Sequence, residues 1–241
     1  MKMYTRNKIG VIYWLVLLLT TIMACESNGE QQIGAIDLLA VNETGEHSKE
    51  WTATINNSPY QNGDIIFHSS LSEQSMAIQL VTESPYSHVG LLYEDNGKWY
   101  VYEAIRTVQR TPLENWIARG KNKHYVVKRL KNQSLLNKES LQKMKKVGQR
   151  FHGKAYDLKF EWSDEKLYCS ELVWKVYDQA LGLELGKLQQ IKDFNVSHSL
   201  VQRKIKERYG TTLPLEQWVI SPACIFESKQ LETVFESPEQ R

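Results

Sequence analysis

The chain has 241 residues, of which 41% are hydrophobic and 24% charged, with a formal net charge of +2. This excludes fibrous and disordered classes and suits one ordinary domain with an appendage, or two small domains. Residues 1–24 hold three basic and no acidic side chains, so the rest of the chain carries −1 and gives no reason to expect nucleic-acid binding.

The chain starts with a basic front, Lys2, Arg6 and Lys8, followed by the uncharged run "IGVIYWLVLLLTTIMA". A basic segment before a short apolar run reads as a secretory signal, and the run is short for a membrane span. Its end, "IMAC", resembles a bacterial lipobox with Ile22, Ala24 and Cys25 in place. That resemblance implies cleavage before Cys25 and lipidation of its sulfur; an uncleaved N-terminal anchor is the alternative. Either way the remainder is expected outside the cytoplasm, membrane-anchored on the cell-envelope side, and several acyl chains would hold it durably. Residues 25–58 are polar, with "NETGEHSKE", and read as a tether carrying one short helix near "IGAIDLLA". Residues 59–241 form the expected domain.

In the domain, "NGDIIFHSS" predicts a turn and a short strand, and "LSEQSMAIQLVTES" a helix closed by Pro85. "YSHVGLLYEDNGKWYVYEAI" predicts a hairpin, with two β-rich runs around the turn signal "DNG". "TPLENWIARG" predicts a short helix started by Thr111 and Pro112 and stopped by Gly120. "HYVVKRL" reads as a strand. "NKESLQKMKKVGQRF" is amphipathic, with Leu141, Met144, Val147 and Phe151 at helical spacing, and "CSELVWKVYDQALG" is a more apolar helix. The tail combines a helix over 197–209 with the strand-like "EQWVISPACIFE". Helices and an antiparallel sheet in separate runs argue for an α+β fold.

The hairpin allows a geometric test. If Asn96-Gly97 is a two-residue loop, Asp95 opposes Lys98, and His88, Gly90, Val101 and Glu103 share one face. His88 and Glu103 are then diagonal neighbours, within about 7–8 Å at the backbone. With Asp95-Asn96 as the loop they would be directly opposite. A carboxylate on one imidazole nitrogen fixes the tautomer and leaves the other to exchange a proton. A half-exposed surface pair is the bland alternative.

Cys169 opens the apolar helix, whose pattern of Leu172, Val173, Val176 and Tyr177 begins just after it. A helix N-terminus favours a thiolate, through unsatisfied N–H groups and the positive end of the dipole, and can aim an N–H at a developing oxyanion. A disulfide to Cys224 is the competing reading, since two cysteines can pair in an oxidising compartment. Cys224, in "SPACIF", reads as an ordinary buried cysteine. The six histidines show no tight ligand spacing, so no metal or other cofactor is expected.

Four segments in order, "NGDIIFHSS", "SPYSHVGLLYEDNGKWYVYEA", "YDLKFEW" and "LYCSELVW", resemble the YiiX/YebB-like branch of the NlpC/P60 superfamily, the permuted papain-like cysteine hydrolases. The resemblance covers roughly residues 60–226. It implies a small antiparallel sheet packed against the cysteine helix, with the active site at their junction. It also implies Cys169 as nucleophile, His88 as general base and Glu103 as the residue orienting it. Tyr168, Tyr156 and Ser170 are pocket candidates, and His68 receives no role. The implied chemistry is acyl transfer to water through a thioester. A peptidoglycan-peptide amidase or endopeptidase is expected first. A lipid-directed acyl hydrolase or acyltransferase, and a non-catalytic binding protein of the same fold, are the alternatives.

Overall fold

The computed structural model describes residues 60–238. The expected signal, the lipidation at Cys25 and the helix near "IGAIDLLA" lie outside these residues. Among the described residues no helix is long and apolar enough to cross a membrane.

A six-stranded antiparallel sheet forms the centre of the domain, in the order β4-β3-β2-β1-β5-β8. Its strands are β1 (Ile65–His68), β2 (His88–Asp95), β3 (Lys98–Ala104), β4 (Val108–Pro112), β5 (Val126–Leu130) and β8 (Leu231–Glu236). A two-stranded ribbon joins β6 (Gln189–Gln190) to β7 (Trp218–Val219). The helices are α1 (Glu73–Thr82), α2 (Leu113–Ala118), α3 (Lys138–Phe151), α4 (Cys169–Leu181), α5 (Ser199–Tyr209) and α6 (Pro222–Phe226).

Side-chain alternation divides the core between the two sheet faces. Ile65 and Phe67 of β1 and Val89 and Leu91 of β2 pack with Leu172, Val173, Val176 and Tyr177 of α4 and with Met144, Val147 and Phe151 of α3. Ile66, Leu92, Val101 and Val127 point the other way, onto Leu113, Trp116 and Ile117 of α2. The helix expected at "NKESLQKMKKVGQRF" therefore forms with the expected face inward. The Tyr177 hydroxyl donates to the Gly63 carbonyl at 2.5 Å, tying α4 to the turn before β1.

The β2–β3 register is the one set by an Asn96-Gly97 loop: Asp95 pairs Lys98 and Leu91 pairs Tyr102. Asn96 and Gly97 both take positive φ, 53° and 76°, as a type I′ turn requires. Three expectations need correction. Thr111 and Pro112 end a strand, β4, before α2 begins, so Thr111 is a ladder residue and no helix starter. "EQWVISPACIFE" keeps only two strand residues; Ser221 caps a short helix that Pro222 opens, because its side chain accepts from the Cys224 N–H. The helix expected over 197–209 begins at Ser199, with His198 as its cap.

Candidate active site

His88 is the first residue of β2, and Cys169 is the first residue of α4. The two element starts meet, which puts the imidazole and the Cys169 sulfur within interaction range. Its Nε2 is held by Glu103 Oε2 at 2.6 Å, which leaves Nδ1 as the ring nitrogen for sulfur. The diagonal placement inferred from the hairpin thus brings the pair into direct contact. Gly90, on the same face, is closely packed: a Cβ there would stand against Val101 Cγ1 and 3.0 Å from the Tyr102 carbonyl oxygen, with Glu103 Cβ in ordinary contact at 3.5 Å.

Glu103 is fully buried, and every partner it has bears on its charge. Its Oε1 accepts from Thr111 Oγ1 at 2.6 Å and from the Arg119 guanidinium at 2.5 Å. Burial alone would raise its pKa. The His88 hydrogen bond and charge, with Arg119 and Thr111, outweigh this and hold it at about 2. Burial likewise pulls His88 down, but hydrogen bonding and attraction to Cys169, then to Glu103, bring it to about 9. The imidazolium is therefore the stable form at neutral pH.

Two aromatic rings brace the imidazole. His68 pairs with His88 across β1 and β2, with ring centroids 5.2 Å apart, and it stacks on Trp116 at 3.8 Å. Burial, then the His88 and Arg119 charges, push His68 well below its ordinary value, so it packs as a neutral ring. His68, Trp116, Thr111 and Arg119 are the functional neighbours that sequence reasoning missed. The readable signal lay in "TPLENWIARG", where Thr111, Trp116 and Arg119 fall within one short stretch.

Tyr156 lines the pocket with Cys169, and its hydroxyl accepts from Gln74 Nε2 at 3.1 Å. Burial, then the charge at Cys169, keep that phenol protonated. Tyr168 also lines the pocket, but its hydroxyl accepts the Ile220 N–H at 3.0 Å. Ser170 donates to the Ile220 carbonyl at 2.8 Å. Both side chains therefore anchor the 219–222 segment beside Cys169. Glu171, in the first turn of α4, is pushed up to about 7 by burial against the pull of Lys175. Lys175 also binds Asp164, which fixes the loop ahead of α4.

Cys169 and Cys224 are both free. Cys224 is half-buried, and its Sγ donates to the Lys187 carbonyl, so the disulfide reading does not describe the fold. Among the described residues no group of three or more His, Cys, Asp or Glu side chains is arranged to hold a metal ion.

A cysteine at a helix start, a histidine on a neighbouring strand and a carboxylate behind it define a papain-like thiol site, here with histidine and carboxylate preceding the cysteine in the chain. The chain belongs to the family described as permuted papain-like amidase enzymes, YaeF/YiiX, C92 family, whose model matches residues 59–235. It is 50% identical over 174 residues to the uncharacterized protein YiiX of Escherichia coli strain K12, a match covering 72% of this chain and 85% of that protein. It also resembles the crystal structure of metalloprotein yiiX from Escherichia coli O157:H7, with a TM-score of 0.71 and 50% identity, over 73% of this chain and 97% of that one.

Proposed function

We propose that the protein cleaves an amide bond by thiol catalysis, with Cys169 as nucleophile, His88 as acid and base, and Glu103 as the orienting carboxylate. The observation that carries this is the 2.6 Å hydrogen bond from Glu103 to His88, whose ring in turn interacts with the sulfur of a helix-opening cysteine. The thiolate–imidazolium pair attacks the carbonyl carbon. The developing oxyanion lies near the N–H groups of the first turn of α4, with the Tyr156 hydroxyl as a side-chain donor. His88 then gives its proton to the leaving amine as the C–N bond breaks and the thioester forms. Water, deprotonated by His88, displaces the sulfur and releases the acid. Membership of an amidase family supports this reading.

Lipidation at Cys25 and a membrane-anchored position on the cell-envelope side belong to the same proposal, carried by the "IMAC" motif. A peptidoglycan peptide and an acylated lipid or amine both suit that setting. The apolar lining of the pocket that reaches Cys169 favours the acyl substrate.

The test compares wild type with Cys169→Ala on stem peptides and on acyl amides, with products read by mass spectrometry. Hydroxylamine is added to capture the thioester as a hydroxamate. Cleavage and capture that need Cys169 are expected. Equal product from both proteins would sink the proposal.

A further inference from the structure

The first turn of α1 is fixed against the catalytic strand. Ser72 caps the helix by accepting from the Ser75 N–H at 3.1 Å. The buried Ser75 Oγ accepts from the Ser70 N–H and from Gln79 Nε2, both at 3.0 Å, so both of its lone pairs are taken. Its own proton therefore goes to Ser87 Oγ, 2.5 Å away. Ser87 is buried, its N–H donates to the His68 carbonyl at 3.2 Å, and the next residue is His88. Ser75 thus ties the start of α1 to the start of β2.

The residue before Ser75 reaches a different part of the centre. Gln74 Nε2 donates to Tyr156 Oη at 3.1 Å. Tyr156 is also held by its backbone: its N–H donates to the Arg106 carbonyl at 2.9 Å, and it bridges to Leu167, two residues before Cys169. Gln74, Tyr156 and Cys169 line one pocket.

The polarity of the Gln74 bond decides what Tyr156 can do. A phenol oxygen accepts a hydrogen bond and carries one O–H to give. The Gln74 N–H occupies the accepting side, so the phenol proton is turned away from Gln74. No acceptor for that proton is shown among the described residues. The N–H also draws electron density from the oxygen and makes its O–H a stronger donor. Burial, then the charge at Cys169, keep the proton on the oxygen.

We propose that Gln74 is a positioning residue for the oxyanion: by donating to Tyr156 Oη it turns the phenol proton toward the carbonyl oxygen that becomes negative when the Cys169 sulfur attacks. This rests on the thiol-amidase reading and adds a residue to it. As the S–C bond forms, the carbonyl π pair moves onto oxygen, and the Tyr156 O–H hydrogen-bonds that oxygen while keeping its proton. When the C–N bond breaks the pair returns and the hydrogen bond weakens. The donor therefore acts most strongly in the transition state, and its loss should appear in kcat rather than KM.

Two substitutions of similar length separate this role from packing. Gln74→Glu replaces the donor by an acceptor, so the carboxylate draws the phenol proton to itself. Gln74→Met offers neither. The assay measures kcat and KM on acyl and peptidyl p-nitroanilides, using the series that wild type cleaves and Cys169→Ala does not. Tyr156→Phe is expected to lower kcat about hundredfold. Gln74→Met should lower it about threefold to tenfold, and Gln74→Glu should approach Tyr156→Phe, with KM within about twofold throughout. In the Tyr156→Phe background Gln74→Glu should cost nothing more, because the group it acts through is gone. If Gln74→Glu unfolds, Gln74→Met with and without Tyr156→Phe completes the same cycle. The aldehyde of the matching acyl group adds to the Cys169 sulfur as a hemithioacetal, and its affinity should fall in the same order. Iodoacetamide, whose reaction expels iodide and builds no oxyanion, should label Cys169 in Gln74→Met and Tyr156→Phe at the wild-type rate.

Gln74→Glu as active as wild type, or equal losses from both Gln74 substitutions, would overturn the role of Gln74 and leave the thiol amidase standing. The same holds if a Gln74 substitution costs as much in the Tyr156→Phe background as alone. Cleavage that persists in Cys169→Ala, or a wild type that neither cleaves an anilide nor takes up an aldehyde at Cys169, would overturn the thiol-amidase reading itself.

Discussion

Replacing Glu103 with glutamine keeps the shape of a fully buried side chain and removes its charge. In the native site that charge faces the His88 ring at 2.6 Å and the Arg119 guanidinium at 2.5 Å. A hydrogen bond to a charged group contributes about 1.5–3 kcal/mol, so losing it lowers the His88 pKa by about one to two units. His88 should then fall from about 9 to about 7–8. The alkaline limb of kcat/KM, where the imidazolium can no longer protonate the leaving amine, should move down by the same amount. At a pH midway between the two values, Glu103→Gln should lose about threefold to tenfold in kcat/KM, with less loss in mild acid. Stability gives an independent reading with its own sign. The raised His88 pKa contributes stability below about 6.5 that is lost as pH rises through about 9. The lowered Glu103 pKa contributes stability above about 4.5 that is lost as pH falls towards about 2. The stability gap between wild type and variant is therefore widest between about pH 5 and 6.5 and narrows on both sides. The measurements are a pH–rate profile and urea unfolding across the same range. An alkaline limb that stays put, with an equal loss at every pH, would refute the charge argument and leave Glu103 as packing.

Two further outcomes are expected. Gly90→Ala should cost about 1–3 kcal/mol, because the added Cβ meets Val101 and the Tyr102 carbonyl, and should lower Tm by about 2–4 °C per kcal/mol; an unchanged melting curve would show slack between β2 and β3. Iodoacetamide at neutral pH should label Cys169 well before Cys224, whose thiol burial pushes up, and His88→Ala should slow the Cys169 reaction by tenfold or more; equal rates in peptide mass spectrometry would contradict the imidazolium partner.

The placement of Glu103, His88 and Cys169 was legible where local rules are strict. An Asn-Gly turn admits few registers, and with Asp95 opposite Lys98 the period of two places His88 and Glu103 on one face. Cys169 was readable as a helix start because the apolar pattern of α4 begins immediately after it. The second layer was not legible, since it depends on pairing between distant segments. Val108–Pro112 is short, ends in proline and sits at a sheet edge, where the strand pattern is weakest, so Thr111 passed for a helix starter while its hydroxyl serves Glu103. "EQWVISPACIFE" has strand-like composition, but Ser221 and Pro222 supply a cap and a first helical residue, and local capping prevails over β-propensity there.

The pocket beside Cys169 shows why substrate class is harder to read than mechanism. Taken singly, the stripes on α1 and α5 are ordinary amphipathic faces, and each would pass for core. They line one pocket because Glu73 pairs with Arg203 and Lys204, Ala77 packs with Leu200 and Val201, and the rest of the two faces borders the space beside Cys169. His88, Glu103 and Cys169 belong to β2, β3 and α4 and are braced by α2, whereas the pocket walls belong to α1 and α5. Changes on α1 and α5 can therefore alter which substrate is accepted while the Glu103–His88 geometry stays fixed. Side chains that hold that geometry, such as Thr111 and Arg119, should instead affect every substrate alike.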